Sequence, residues 1–235
     1  MREKIKRGII WSVSITSLLV VCIAFAFFGQ SGDDAIDRVV GVVAIISGVG
    51  SVIMGVSSIF STSLDNVREY YATGDSDEMR SARKVLYNYR YIKIKHGKTI
   101  LDDDFDSWVK ENVSENDKIL LPTTKNEILA AASTTTDFFQ MWGLLQHKNF
   151  LPMWVFETAS GYSIIKLYEA VDDIVTANRA TNPFYALQFR DLCVRIKQKY
   201  RKAIEQCRKN ESEYIKTNLG IKDLTANKHF DIDLK

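Results

Sequence analysis

The sequence predicts an all-α protein in which an N-terminal transmembrane helical hairpin, residues 1–62, is followed by a cytoplasmic helical bundle, residues 63–235. Three observations support this prediction. Two long uncharged apolar runs lie within the first sixty residues, helix caps and helix-period apolar positions recur after them, and the period-two alternation of strands is scarce. With 235 residues the chain is long enough for one domain and a smaller second element. The net charge of +2 identifies no partner by itself.

The two apolar runs, Gly8–Phe28 and Val39–Phe60, are each long enough to cross a bilayer, which takes about 20 apolar residues in a helix. A helix also satisfies its own backbone hydrogen bonds, as a lipid environment requires. The loop between the runs carries three aspartates, whereas the N-terminal sequence MREKIKR and the segment after the second run are basic. The positive-inside rule therefore places both termini in the cytoplasm.

An alternative interpretation of the first run is a cleaved signal peptide, because the tripeptide Ala24–Ala26 resembles a cleavage site. The run is longer than a usual signal core, and Phe27 and Phe28 follow directly, which favours a retained helix. In either case the second helix would leave the C-terminal domain in the cytoplasm.

Helix caps organise the rest of the chain. Residues 75–78 offer an N-cap and a capping-box partner ahead of a helix-period apolar pattern. Thr124 and Glu127 have the spacing of a capping box that opens a helix over Ile128–Leu145. We expect about five helices in this bundle.

Other segments favour helix as well. Pro152 and Pro183 stand where proline commonly begins a helix. Residues 87–95 alternate at period two but have no obvious partner strand, so we interpret most of them as helix. One last long helix is predicted from a buried stripe in four- and three-residue steps. The stripe comprises Phe189, Cys193, Ile196, Tyr200, Ala203 and Cys207.

The sequence carries no G-x-S-x-G, H-E-x-x-H or Walker-type motif. Its three histidines lie far apart without metal-ligand spacing. We therefore expect no enzymatic activity, no metal and no cofactor.

The best cluster for acid–base chemistry is Glu169, Asp172 and Asp173, which share one side of a helix. Exposed charge clusters are far more common, so we interpret these carboxylates as a solvated face that also pairs with Arg179 and Lys166.

A basic run without any acidic residue extends from Met79 to Lys98, with three tyrosines between its cations. Its cations could signal topology and be solvated, contact anionic lipid, or track a nucleic-acid backbone. Four aspartates in residues 101–106 could instead neutralise the run within the fold. The candidate contact residues are Arg80, Arg83, Lys84, Arg90, Lys93, Lys95 and Lys98.

Small residues recur in the second apolar run in steps of three and four, which places them along one side of a helix. Such faces let helix backbones approach closely in a bilayer. The seam packs either on the first span, against Ser14, Ser17 and Ala24, or on another protomer. The seam comprises Gly41, Ala44, Gly48, Ser51, Gly55 and Ser58.

The sequence from TTTDFFQMWGLL through KNFLPMWVFETASGYSIIKLYEAVDDIVTANRATNPFYALQFRDL is similar to helical domains of small bacterial membrane proteins. With its two N-terminal spans, the whole chain resembles the two-transmembrane-helix effectors of anti-phage defence systems, including those associated with retrons. The resemblance implies a multi-pass inner-membrane effector that disrupts the membrane and kills the host cell when a cytoplasmic partner releases it.

The same resemblance implies a protein partner for the cytoplasmic domain, in the retron case a reverse transcriptase with its attached nucleic acid. Because two helices cannot enclose a pore, membrane disruption would also need a homo-oligomer. The alternative is a membrane-anchored scaffold or regulatory subunit, and a membrane-bound enzyme using the cluster at Glu169 comes third.

Overall fold

The computed structural model describes residues 48, 50, 51, 62–113, 121–157, 159–221, 224, 227 and 230. The chain forms two compact units, Met1–Thr62 and Ser63–Lys235. In the first unit, Gly48, Gly50 and Ser51 are helical. The rest of both predicted spans, 8–28 and 39–60, lies outside the described residues. Within the described part of the chain, no helix has the length and apolar character needed to cross a bilayer.

The described part of the second unit is helical and contains no strand. Residues 62–74 are helical and lead into the first of six α-helices that the structure bounds. These are α1 (Asp77–His96), α2 (Phe105–Asn112), α3 (Lys125–His147), α4 (Ala159–Arg179), α5 (Leu187–Lys199) and α6 (Arg201–Leu219). A 3-10 helix, Met153–Phe156, precedes α4. The prediction of an all-α domain is confirmed for these residues, and residues 87–95 are helical throughout.

Both predicted helix starts are confirmed. Ser76 is the N-cap of α1, and its side chain accepts a hydrogen bond from the backbone N–H of Met79 at 3.3 Å. Thr124 and Glu127 form a reciprocal capping box at the start of α3. Two otherwise unpaired backbone donors are satisfied there, which fixes where the helix begins.

Helix α4 is the centre of the bundle. It packs against α1, α3, α5, α6 and the 3-10 helix. Its residues from Leu167 to Val171 are all buried, so the helix is covered on every side there. A central helix would ordinarily be apolar all round, yet this one buries the charged residue Glu169.

The prediction of one long C-terminal helix is wrong. The backbone leaves helical geometry at Tyr200, with φ −115° and ψ 30°, and separates α5 from α6. The buried stripe shifts there, from Phe189, Cys193 and Ile196 in α5 to Ile204 in α6, while Cys207 is only half-buried. Pro183 also lies in a turn, and α5 begins four residues later.

Helices α3 and α5 approach closely because Gly143 has no side chain. A Cβ built on Gly143 would overlap the backbone carbonyl of Gln188. That backbone is held in place, since the Gln188 N–H donates to Gln140 Oε1 at 2.9 Å. The neighbour therefore has little freedom to move away.

We predict that Gly143→Ala lowers the free energy of unfolding by about 1–3 kcal/mol, because it overpacks this contact. Denaturant titration of the full-length protein in neutral detergent, followed by tryptophan fluorescence, measures the change. Gly74→Ala is the matched control, since a Cβ there would be in ordinary contact with Phe138 at 3.4 Å. Equal stability of the two variants would contradict the prediction.

Candidate functional site

The carboxylates of α4 are not a solvated face, and that prediction is wrong. Glu169 is only 1% exposed, and Asp172 and Asp173 are half-buried. Burial raises the pKa of Asp172 above its usual value. Among the described residues Arg179 forms no ion pair within 4 Å with any of them, and its Nε donates to the carbonyl of Tyr185. These carboxylates turn inward because α1 and α6 bring cations to them.

Arg90 of α1 lies between Glu169 of α4 and Glu211 of α6. Its Nε and Nη2 donate to Glu169 Oε2 at 2.9 and 2.6 Å. Its Nη1 and Nη2 donate to the two oxygens of Glu211, both at 3.1 Å. The planar guanidinium thus meets one carboxylate in the bidentate geometry that makes such hydrogen bonds strong.

Two further cations surround the same carboxylates. Arg208 Nη2 donates to Glu169 Oε1 at 3.0 Å, and Lys166 Nζ lies 3.4 Å from Glu211 Oε1. Each carboxylate therefore has two cationic partners, which offsets the large cost of removing it from water. We call this group the Arg90 cluster: Arg90, Lys166, Glu169, Arg208 and Glu211.

Aromatic side chains enclose the cluster. The hydroxyl of Tyr162 donates to Glu211 Oε2 at 2.5 Å. The ring of Phe230, from the C-terminal segment, lies over the guanidinium groups of Arg90 and Arg208 at 5.6 and 5.5 Å. These contacts replace water around the cations with ring faces, an arrangement that suits guanidinium groups.

A second buried cation occupies the next turn of α1. Lys93 Nζ donates to the carbonyls of Glu169 and Ala170 at 2.9 and 2.8 Å and to Asp173 Oδ1 at 2.9 Å. All three of its donors are used. The hydroxyl of Tyr89 donates to the other oxygen of Asp173. Burial lowers the pKa of Lys93, and the Asp173 carboxylate opposes that change.

Within the Arg90 cluster, the charges of Arg90 and Glu211 support each other. Burial alone would lower the pKa of Arg90, but the carboxylates of Glu169 and Glu211 raise it above its usual range. Burial alone would raise the pKa of Glu211, but the charges of Arg90 and Lys166 lower it below its usual value. Arg90 and Glu211 therefore stay charged at neutral pH.

The basic run divides between two faces of α1. Arg90 and Lys93 are buried, so the expectation that they contact lipid or nucleic acid is wrong for these two. The helix period places them on the inner face with Leu86 and Tyr89. The other five cations, Arg80, Arg83, Lys84, Lys95 and Lys98, are exposed or half-buried. Only Lys98 is paired with one of the downstream aspartates, Asp104, at 2.9 Å.

The structure describes part of the predicted small-residue seam. Of the small-residue seam, Gly48 and Ser51 are helical, and both are exposed. Gly41, Ala44, Gly55 and Ser58 lie outside the described residues. Among the described residues, no three His, Cys, Asp or Glu side chains are grouped so as to hold a metal ion.

No pattern in the sequence indicates that Glu211, Tyr162 and Phe230 belong to one site. Glu211 is separated from Arg90 by 121 residues along the chain. No short-range spacing rule relates residues so far apart, so only the packing of α6 against α4 brings them together. The charged side chains of the cluster bond to one another across three helices, and their evident role is to fix how α1, α4 and α6 pack.

Comparisons with known proteins found no relative. The chain matches no protein-family model, and neither a curated protein nor a solved structure is significantly similar to it.

We predict that Arg90→Met lowers the free energy of unfolding by about 3–5 kcal/mol, because it leaves buried carboxylates without their central cation. Denaturant unfolding of the full-length protein measures the loss. The matched control is Arg80→Met on the exposed face of α1, which we expect to change stability by less than about 0.5 kcal/mol. If both variants lost the same amount, the cluster would not stabilise the fold.

Stability should also depend on pH through Glu211. Because its pKa is lower in the folded protein than in the unfolded chain, its contribution is full above the unfolded value of 4.5. The contribution is lost as the pH falls through the folded value. We expect Glu211→Gln to be less stable at neutral pH but to lose less stability between about pH 5 and pH 3.

Unfolding titrations at a series of pH values test this. Glu205→Gln is the matched control, since Glu205 is an exposed partner of Arg201 at 3.4 Å on the same helix. Parallel stability profiles for wild type and Glu211→Gln would show that Glu211 does not carry the acid dependence.

Proposed function

We propose that this protein is a membrane-embedded effector of a bacterial antiviral defence system. In this proposal the two apolar runs anchor it in the inner membrane with both termini in the cytoplasm. The second unit holds the effector inactive by binding a cytoplasmic partner, which we expect to be a protein with attached nucleic acid. Release from the partner lets the spans assemble and disrupt the membrane, which kills the infected cell.

The small-residue seam in the second apolar run carries the proposal. Six small residues fall on one side of that run, and such faces drive helix association in lipid. Among the described residues, an added Cβ at Gly48 would meet no atom within 4 Å. This observation supports a seam that another helix can approach at Gly48.

The second unit supports a regulatory role over a catalytic one. Its main carboxylates are engaged in buried hydrogen bonds to Arg90 and Lys93, which leaves no room around Glu169 for a substrate. A domain whose charges fix its packing is suited to holding one conformation until a partner leaves. The resemblance to two-helix defence effectors gives the biological setting.

We predict that overexpression depolarises the inner membrane and admits an impermeant dye, and that Gly48→Leu and Gly55→Leu reduce both effects at least tenfold. A leucine in the seam separates helices that must approach closely. Time-resolved dye fluorescence and a potential-sensitive probe, at matched protein levels, provide the measurement.

Val49→Leu and Val56→Leu are the matched controls, because each adds bulk one residue away from the seam. They should leave dye entry unchanged. An intact membrane on wild-type expression, even when phage infection triggers the system, would refute the effector. If an unrelated helical hairpin in place of residues 1–62 preserved function, the chain would be an anchored scaffold.

A further inference from the structure

A groove of about 480 Å³ lies on the outer side of α1. That volume is within the usual range for small-molecule sites, about 300–1,000 Å³. The groove follows α1 from Arg80 to Tyr91, a rise of about 16 Å at about 1.5 Å per residue. It is lined by Arg80, Arg83, Lys84, Tyr87, Asn88, Tyr91 and Leu121.

One end of the groove is cationic. Arg80, Arg83 and Lys84 line it, and no carboxylate is among the lining residues that the structure describes. Arg80 and Lys84 are exposed, and Arg83 has only a long ion pair, 3.9 Å to the exposed Asp75. Arg83 Nε is buried without a hydrogen-bond partner among the described residues. These cations are available to an anion, unlike Arg90 on the opposite face.

The other end is aromatic and apolar. Tyr91 is half-buried, with its ring 6.5 Å from that of Tyr214, and Leu121, which is hydrogen-bonded to Asn88 one turn before Tyr91 on α1, also lines the groove. Burial raises the pKa of Tyr91 to about 12, so its hydroxyl stays neutral. The ring of Tyr87 is already covered on one face by Lys166 Nζ at 4.9 Å. Tyr91 is therefore the ring of the groove on which a flat ligand can stack.

We infer that this groove binds a nucleotide, with its phosphates on Arg80, Arg83 and Lys84 and its base against Tyr91 and Leu121. A nucleotide carries its negative charge at one end and its flat ring at the other, in the same order as the groove along α1. Charge-assisted hydrogen bonds hold phosphates, and stacking on an aromatic ring holds a base without requiring one sequence. The inference does not depend on the membrane function proposed above.

The aromatic end distinguishes a nucleotide from other phosphate ligands. Inorganic phosphate or a lipid headgroup would engage only the cations and leave Tyr91 and Leu121 without a partner. The nucleotide could be free or part of a single strand, because both present the same phosphate and base. Binding experiments can separate these two sources.

The test is isothermal titration of the full-length protein, in a neutral detergent, with four probes. These are ATP, a twelve-residue oligothymidylate, inorganic tripolyphosphate and the soluble lipid dihexanoylphosphatidylglycerol. We expect ATP or the oligonucleotide to bind more tightly than the last two probes. Tighter binding of ATP would indicate a free nucleotide, and tighter binding of the oligonucleotide would indicate a strand.

Variants locate the binding. Arg80→Ala and Lys84→Ala should each weaken nucleotide binding about tenfold, as expected for loss of a charged hydrogen bond. Lys202→Ala, which removes an exposed cation on α6, should leave binding unchanged. Tyr91→Leu should weaken binding of the nucleotide probe without changing that of tripolyphosphate, and Tyr91→Phe should retain it.

Three results would overturn the inference. One is no saturable binding of either nucleotide probe. Another is equal binding by wild type, Arg80→Ala and Lys84→Ala. The third is tighter binding of tripolyphosphate or of the lipid than of both nucleotide probes. None of these results depends on membrane permeability, so failure here is distinguishable from failure of the proposed function.

Discussion

A buried guanidinium group needs partners for its charge and for its N–H donors, and in this domain that requirement joins three helices. Arg90 brings its charge from α1, Glu169 receives it on α4, and Glu211 receives it on α6. Removing these charges from water costs several kcal/mol per ion, which good geometry and additional hydrogen bonds must offset. Alternative packings of α1 or α6 would leave at least one charge unpaired. The cluster therefore favours one arrangement of these helices over its competitors.

The apolar core alone would specify this arrangement less sharply. Leu86, Ile92 and Phe189 are fully buried, but similar apolar side chains can often exchange neighbours at modest cost. A bidentate pair between Arg90 and Glu211 has a narrow range of acceptable positions. Apolar burial thus supplies most of the driving force for folding, while the ion pairs select the register in which the helices meet.

Local signals in the sequence predicted much of the helical structure. Two helix starts are marked by contacts within three residues, one at Ser76 and one at the pair Thr124 and Glu127. Such local contacts can be predicted from sequence spacing alone. The break at Tyr200 was missed, because apolar residues keep helical spacing across it. The hydroxyl of Tyr200 donates to the carbonyl of Met153, a contact between distant segments that no local pattern reveals.

The candidate site was harder to predict for the same reason. A cation or carboxylate on a helix is usually exposed, so Arg90 and Glu169 resembled their solvated neighbours in sequence. What distinguishes them is the partner, and their partners lie 39 residues or more along the chain. The positions of these cations around α1 decide their exposure: Arg80 and Lys84 lie on the outward face, whereas Arg90 and Lys93 lie on the inward face.

Helix α1 therefore connects the Arg90 cluster, which is buried, with the groove, which faces solvent. Tyr91 lines the groove and donates to Glu211 at 3.4 Å, and Tyr87 lies between the groove and Lys166, itself a partner of Glu211. A ligand that shifts Tyr91 acts directly on the Glu211 carboxylate that fixes the position of α6, and one that shifts Tyr87 acts on it through Lys166. Coupling between two sites needs an element that both of them bias, and α1 meets that condition. If the groove is occupied, the packing of the domain is the property that its ligand is placed to change.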